Sequence, residues 1–227
     1  MTNELLPTQI AKAPWHLTGN GYIFLYRFSR QFVEKHGFLA DYQKPHFKGI
    51  IGAVMLVDYQ TSGVGPYQEL LFIPGFFDFD GKRAFSISKI YVSTYNSVWN
   101  GIENWGIPKE LAMFEKQELM DGKQEKIQVS IEGQTIFSAQ LQKSWFKFPL
   151  TTALTPFTIA QALRGDLILT KPTAKGQGQW SKLTDIWVNP DYFPDLSEAK
   201  PLAVIAVNNF KMVFPVAEFE KEFFELG

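Results

Sequence analysis

One segment limits the possible folds more than any other: residues 48–58 form a near-continuous apolar run, KGIIGAVMLVD. The run is too short to span a membrane, which takes about 20 apolar residues in a helix. It is followed by a turn-forming loop at residues 61–66, which contains two glycines and a proline. This pattern predicts a β-strand that is buried on both faces.

Much of the remaining chain also has the composition of β-strands. Asp80-Gly81 and Glu132-Gly133 each separate two β-like runs, and such dipeptides are typical of tight hairpins. A Gly/Lys/Gln-rich stretch at residues 171–179 predicts a surface loop, and no regular element is predicted at 144–165. Further strands are predicted at residues 22–28, 67–72, 84–92, 165–170, 180–188 and, as one long strand or a strand pair, 202–214.

Helical patterns are few and short. They are predicted from Ser29 to Phe38, from Thr94 or Asn96 to Trp105, and over residues 216–226 with Phe219 and Phe223 facing inward. About ten strands and three or four helices indicate a mainly β (α+β) fold, a mixed barrel or sandwich with peripheral helices, rather than a βαβ fold. No linker divides the chain, so residues 1–227 are predicted to form one domain.

Composition narrows the function. Aromatic residues make up 15% of the chain and 21 of them are Phe, which predicts a bulky core or a ring-lined internal cavity. The net charge is −1 with no basic stripe or polybasic helix, so neither nucleic acid nor a membrane is predicted as a partner. The absence of cysteine excludes disulfides and thiolate catalysis, and three scattered histidines do not indicate a metal site. Residues 1–14 show no export signal, which predicts a cytoplasmic protein.

Two segments together resemble the acetoacetate decarboxylase family. Residues 58–69 (DYQTSGVGPYQE) resemble the Thr-Ser-Gly-x-Gly-x-Tyr-x-Glu loop and strand of that family. Residues 101–112 (GIENWGIPKELA) resemble its helix, turn and Gly-aromatic-Pro-Lys segment, and residues 214–218 (FPVAE) are a weaker third match. Their order and spacing are similar, so the resemblance covers most of the chain. It implies the family's fold around an apolar cavity, no cofactor and a homo-oligomer.

The family's chemistry implies a role for Lys109 as the nucleophile that forms a Schiff base with a ketone, and for Glu69 as a second catalytic residue. A lysine activated by desolvation or by a cationic neighbour is the established example of this chemistry in the family. A free lysine has a pKa of ~10.4, so keeping its amine neutral at pH 7 takes roughly 4 kcal/mol. Burial among rings such as that of Trp105 lowers the pKa of a lysine, and desolvation is the predicted means of activation.

The chain departs from the family pattern at three positions. Glu110 stands where the family has a second lysine, and a carboxylate facing Lys109 would raise the pKa of that amine. Adjacent side chains point apart in an extended chain, so Glu110 is expected to face away. Val54 falls where the family has another glutamate, and the family's early arginine aligns near Gly19, with Arg27 as the nearest substitute. These losses weaken the case for acetoacetate itself as the substrate.

The resemblance also implies substrate-binding residues, each with a plainer alternative. The four residues are Arg27, Tyr67, Trp105 and Glu110. Arg27 fits a structural ion pair at least as well, and Tyr67 and Trp105 are more typical of core packing than of a substrate site. Glu69 is equally consistent with a strand glutamate that faces water, because a buried carboxylate needs a partner.

Two classes of function follow. The first is a decarboxylase-like lyase that uses a lysine Schiff base on a keto acid or related carbonyl compound, with aldolase or dehydratase chemistry on a larger carbonyl substrate as a variant. The second is a divergent barrel that binds an apolar small molecule without catalysis. In both cases the predicted partner is a small carbonyl or apolar molecule.

Overall fold

The structure, a computed structural model, is mainly β and describes residues 6–49, 51–119, 124–154, 156–197 and 199–224. Those ranges contain fifteen strands, two α-helices and one short 3₁₀-helix. The strands are β1 Trp15–Arg27, β2 Ile51–Thr61, β3 Tyr67–Ile73, β4 Phe76–Phe79, β5 Lys82–Phe85, β6 Lys89–Val92, β7 Lys109–Leu111, β8 Met113–Leu119, β9 Gln124–Ile131, β10 Gln134–Thr151, β11 Ile159–Leu163, β12 Asp166–Thr170, β13 Thr173–Val188, β14 Ala203–Phe214 and β15 Glu218–Glu220. The helices are α1 Arg30–His36 and α2 Tyr95–Trp105, with the 3₁₀-helix at Lys44–His46. Neither α-helix of the described ranges combines the length and the apolar character needed to cross a bilayer.

Ten strands form one large sheet, in the order β7-β6-β3-β2-β1-β14-β13-β10-β9-β8. Its neighbouring strands are antiparallel, except that β6 and β7 are parallel. The other five strands form a second sheet, in the order β15-β12-β11-β5-β4. The prediction of a mainly β fold with few helices is confirmed, and the large sheet forms a nearly closed, barrel-like wall.

The apolar run at residues 48–58 lies largely in β2, near the middle of the large sheet. Successive side chains of a strand point to opposite faces. Val54 and Leu56 are therefore buried in an aromatic core on one side, whereas Met55 and Val57 face a cavity on the other. Because both environments are apolar, neither face of the strand needs polar residues, which explains the continuous run.

The two predicted hairpins are confirmed. Asp80 and Gly81 connect β4 to β5 with φ values of 52° and 85°. Glu132 and Gly133 connect β9 to β10 with φ values of 49° and 82°. Two consecutive residues with positive φ match the right-handed twist of the flanking strands, and the Xaa-Gly pair supplies them.

The helix predicted over residues 216–226 is wrong in its described part. Glu218–Glu220 form β15, which pairs with β12 and so covers a strand that would otherwise be the edge of the second sheet. Phe219, expected to face inward, is 48% exposed, whereas Phe223 packs against the core. An edge strand offers unpaired backbone groups, and pairing with them satisfies the backbone of the segment without a helix. Residues 225 and 226 lie outside the described ranges.

Two stretches predicted to lack regular structure are strands, and one predicted strand is divided. Residues 171–179 fall mostly in β13, and residues 144–165 contain the end of β10 and all of β11. Gly178 sits within β13 because the ring of Phe148 lies where its side chain would begin, so this glycine marks a close contact and not a loop. Residues 84–92 divide between β5 and β6, which belong to different sheets.

Candidate active site

Helix α2 and the turn that follows it position the candidate nucleophile. The side chain of Thr94 caps the N-terminus of the helix, and Gly106 ends it with a φ of 64°, in the left-handed region that favours glycine. Pro108 prevents the helix from continuing, and Lys109 then opens β7, which pairs in parallel with β6. The predicted helix and its end are confirmed, and the turn brings the side chain of Lys109 back against α2.

The side chain of Lys109 crosses α2 at Gly101. A Cβ at Gly101 would lie 2.6 Å from the Cδ atom and 2.9 Å from the Cε atom of the lysine. Glycine inside a helix lowers stability by roughly 0.5–1 kcal/mol relative to alanine. At this position the loss is offset by room for the lysine side chain, since any larger residue would push the amine away from its present place.

The amine of Lys109 contacts three polar side chains. Its Nζ lies 3.0 Å from Oε2 of Glu69, and it donates hydrogen bonds to the hydroxyls of Ser97 at 3.1 Å and Tyr67 at 3.3 Å. The side chains of Lys109 and Glu69 are only 4% and 5% exposed. Tyr59 donates a hydrogen bond to the other carboxylate oxygen of Glu69, at 3.3 Å. The result is a buried ion pair in which the Lys109 amine also donates to two hydroxyls and the Glu69 carboxylate also accepts from a third.

The electrostatics of this pair differ from the sequence-based prediction. Burial lowers the pKa of Lys109, but the Glu69 carboxylate and the hydrogen bonds raise it by more, so the pKa lies above the usual value of 10.5. Desolvation therefore does not produce a neutral amine here, and that expectation is wrong for the resting site. Burial also raises the pKa of Tyr67 to about 12, so its hydroxyl is neutral at physiological pH.

An apolar cavity of about 390 Å³ opens beside the ion pair. This size falls within the ~300–1,000 Å³ typical of small-molecule sites. Rings and aliphatic side chains form most of its wall, including Trp15, Tyr67, Trp105, Phe157, Phe210 and Phe214. Both Lys109 and Glu69 line the cavity, so the buried amine adjoins a space that a ligand can enter.

The comparison with protein families agrees with this geometry. The family model described as acetoacetate decarboxylase (ADC) matches residues 44–147, a span that contains both Glu69 and Lys109. A solved acetoacetate decarboxylase from Legionella pneumophila superposes with a TM-score of 0.71, covering 97% of this chain and 92% of the other at 12% identity. The chain is similar to the acetoacetate decarboxylase family in sequence over residues 44–147 and shares the fold of the solved enzyme.

Other solved structures share the fold at similarly low identity. An acetoacetate decarboxylase-like enzyme from Sphingomonas wittichii superposes with a TM-score of 0.71 at 13% identity, covering 97% of this chain and 98% of the other. The enduracididine biosynthesis enzyme MppR, complexed with the condensation product of pyruvate and imidazole 4-carboxaldehyde, superposes with a TM-score of 0.68 at 14% identity and covers 94% and 91%. No curated protein matches the chain in sequence.

Two residues expected to bind substrate lie outside the cavity. Arg27 is exposed at the end of β1, beyond Leu25, which is a cavity-lining residue of the same strand face. Glu110 is turned away from Lys109, as expected for adjacent residues in a strand, and its Oε1 lies 2.5 Å from Nζ of Lys89. The predicted placement of Arg27 and Glu110 in the site is therefore corrected, whereas Tyr67 and Trp105 do line the cavity.

The geometry also accounts for the two positions, Val54 and Gly19, at which this chain lacks the glutamate and the arginine of the family. Val54 faces the aromatic core, and its cavity-facing neighbours in β2 are Met55 and Val57. Gly19 lies at a register shift of β1, where the backbone carbonyl of Asp58 occupies the space of a side chain. Neither strand presents a second carboxylate or an arginine to the described cavity wall, whose charged residues are the buried Lys109 and Glu69 and the exposed Lys175.

Sequence reasoning missed three residues of the site: Tyr59, Ser97 and Gly101. Tyr59 and Ser97 lie within or beside the matching segments but carry no pattern that marks them as partners of Glu69 and Lys109. Gly101 did carry a signal. A glycine in the middle of a predicted helix lowers its stability, and such a residue often has a packing or functional reason.

Proposed function

We propose that the protein is a lyase in which Lys109 forms an imine with the carbonyl carbon of a small, largely apolar substrate. One observation carries the proposal: a buried amine and a buried carboxylate, 3.0 Å apart, lie together in the wall of an apolar cavity. A structural ion pair needs no cavity beside it, whereas imine formation needs an amine, an acid and room for a carbonyl compound.

Glu69 makes the amine reactive by proton transfer within the pair. The ammonium group of Lys109 gives a proton to the Glu69 carboxylate, and the site keeps the same net charge. The neutral amine then attacks the carbonyl carbon, and the acid form of Glu69 protonates the departing hydroxyl as water. In sum, one ammonium and one ketone become one iminium and one water, with Glu69 ionised again beside the new positive charge.

The iminium accepts the electron pair of a bond that breaks next to the former carbonyl. That pair forms a carbon–carbon double bond as the iminium π electrons move to nitrogen, which gives a neutral enamine. Decarboxylation releases CO₂ in this step, and a retro-aldol reaction releases an aldehyde after its hydroxyl loses a proton to Glu69. Protonation at carbon and hydrolysis of the imine then restore Lys109.

The apolar wall indicates a substrate larger and less polar than acetoacetate. A small β-keto acid held at Lys109 would place its carboxylate among aliphatic and aromatic groups, because the second cation of the described wall, Lys175, is exposed and also lines the groove at the surface. The complex of MppR with a condensation product of pyruvate supports carbonyl chemistry on this fold. A carbonyl compound with a hydrocarbon body fits the cavity of this chain best.

Reductive trapping tests the proposal. The protein is incubated with a panel of apolar ketones, aldehydes and keto acids, reduced with sodium borohydride and measured by intact-protein mass spectrometry. The proposal predicts a mass increase of one reduced ligand, which depends on both the ligand and borohydride. A panel in which no carbonyl compound gives an adduct would overturn the proposed chemistry.

The second candidate, a non-catalytic binding protein, is favoured by one observation. The pKa of Lys109 is raised by its partner Glu69, and a lysine held as an ammonium ion does not attack carbonyls. This candidate predicts no borohydride adduct. It also predicts a noncovalent apolar ligand in native mass spectra of the freshly purified protein, still bound after Lys109→Ala.

The pH profile of trapping is expected to shift when Glu69 is replaced by glutamine. The carboxylate raises the pKa of Lys109, so without it burial is expected to dominate and lower that pKa. In the wild type, the proton moves within the pair and is not exchanged with solvent, so trapping at a nonsaturating ketone concentration should change little between pH 6 and 10. In Glu69→Gln, the amine must release its proton to solvent, so the trapping rate should rise with pH, to a lower maximum because the acid is gone. Rates measured between pH 6 and 10, with circular dichroism confirming the fold, check this; an unshifted profile would contradict the role of Glu69.

Replacing Gly101 with alanine is expected to separate stability from reactivity. Alanine favours the helix by up to about 1 kcal/mol, but its Cβ takes the space of the lysine Cδ and Cε atoms. The amine should move away from Glu69, and the trapping rate should fall about ten-fold or more while the thermal midpoint stays within a few degrees. Asn96→Ala, at an exposed hydrogen-bonding position of the same helix, is the control expected to keep the trapping rate. Full reactivity in Gly101→Ala would show that the lysine does not need this path across the helix.

A further inference from the structure

The cavity beside Lys109 continues into a wider groove at the surface. Leu17, Leu25, Phe157, Pro172 and Met212 line both spaces, so the groove is the entrance to the cavity. Lys109 and Glu69 line the inner cavity but not the groove, so the reactive pair lies away from the entrance. A ligand that reaches the amine therefore passes through the groove and can extend back into it.

The groove carries positive charge. Its lining includes Arg83, Lys171, Lys175 and Lys211, and no aspartate or glutamate is among its described lining residues. This concentration is local, because the whole chain has a net charge of −1. Lys171 pairs with Glu218 at 3.1 Å, whereas Arg83, Lys175 and Lys211 have no ion pair within the described parts of the chain.

Two of these cations directly oppose each other. Lys175 of β13 is the register partner of Lys211 of β14, and both line the groove. Like charges at directly opposed positions of an antiparallel pair destabilise the sheet. An anion between or above the two amines would remove that repulsion. Two exposed apolar residues, Ile51 and Phe76, also line the groove, so the entrance is amphipathic and offers both charged and apolar contacts to a ligand.

We infer that the ligand is an anionic amphiphile, with its carbonyl at Lys109, a hydrocarbon body in the cavity and a carboxylate or phosphate group over Lys175 and Lys211. The inference rests on the proposed function for the position of the carbonyl, and on the groove alone for the anion. The anionic group lies at the opposite end of the ligand from the reacting carbon and is retained through the reaction. Charge at the entrance thus orients the ligand with its carbonyl end inward.

Binding of three matched methyl ketones tests this inference. They share one medium-length methylene chain and end in a methyl group, a carboxylate or a phosphate monoester. Isothermal titration calorimetry on the wild type is expected to show about ten-fold tighter binding for the anionic ketones, because each of the two exposed lysines contributes a modest gain. The preference should weaken as salt is raised, because exposed charges are screened. A larger gain for the phosphate than for the carboxylate identifies a phosphorylated head group, and the reverse identifies a carboxylate.

A charge-neutral variant provides the decisive comparison. Lys175→Gln/Lys211→Gln should remove the preference for anionic ketones and leave the neutral ketone unchanged. Lys147→Gln/Lys182→Gln, which alters two exposed lysines of β10 and β13 outside the groove, should keep the preference. Equal affinity for all three ketones in the wild type, or a preference that survives Lys175→Gln/Lys211→Gln, overturns the inference.

The same titrations with Lys109→Arg protein separate this inference from the proposed function. Arginine cannot form the imine, so any preference measured there comes from the groove alone. A charge preference without borohydride trapping in the wild type would support the anion site and reject the imine chemistry. Trapping without a charge preference would do the opposite.

Discussion

Replacing Lys109 with methionine is expected to abolish imine trapping and to reduce turnover of any substrate by more than about 10³-fold, because the amine of Lys109 supplies the electron pair that attacks the carbonyl. The side chain of methionine is similar in length and apolar, so it fits the space beside Gly101 and the cavity wall. Borohydride reduction followed by intact-protein mass measurement checks the trapping, and steady-state kinetics check turnover.

Two further variants separate loss of the nucleophile from loss of charge. Lys109→Arg keeps a cation beside Glu69 but offers a guanidinium that stays protonated, so it should fold normally and form no imine. Lys89→Met removes another partly buried lysine, whose partner Glu110 faces away from the cavity, and should retain trapping. An adduct of undiminished yield in Lys109→Met would show that the reactive amine lies elsewhere.

Breaking the buried ion pair from one side is expected to destabilise the fold by about 3–5 kcal/mol, and removing both partners should recover most of that loss. Lys109→Met leaves the Glu69 carboxylate buried, and Glu69→Leu leaves the ammonium group buried; each charge then has only hydroxyl partners. In Lys109→Met/Glu69→Leu no charge is left without its partner. Urea unfolding of the wild type, both single variants and the double variant at neutral pH measures the coupling.

The size of that coupling shows whether Lys109 and Glu69 interact energetically. If the single losses are large and the double variant recovers, the residues act as one buried unit whose charges depend on each other. If the losses of the two single variants simply add, the carboxylate and the amine do not interact energetically, and Glu69 has no basis for transferring a proton to or from Lys109.

The β-strands could be predicted because local patterns agree with the final environment. Alternation and Xaa-Gly turns located the hairpins at Gly81 and Gly133, and the apolar run located β2. The errors occurred where tertiary contacts decide. Residues 216–226 have a helical pattern, but pairing with β12 makes part of them a strand. Gly178 suggested a loop, but it lies in a strand where a ring packs on its backbone.

The candidate site was predictable only in part. The order of two short motifs identified Lys109 and Glu69, but their 3.0 Å contact joins residues of different strands and no local pattern encodes it. The predicted means of activation was wrong for the same reason, since the raised pKa of Lys109 depends on that contact. Arg27 was selected as the nearest arginine in the sequence. A residue reaches the cavity only where its strand forms part of the cavity wall. Strand β1 no longer forms part of that wall at Arg27.

Peptide mapping after borohydride reduction tests the central claim most directly. The wild-type protein is reduced in the presence of an apolar methyl ketone and digested, and each lysine is scored for the adduct by tandem mass spectrometry. The proposed chemistry predicts that the adduct lies on Lys109, which is buried but faces the cavity. An adduct spread over exposed lysines such as Lys175 and Lys211, with Lys109 unmodified, would contradict it.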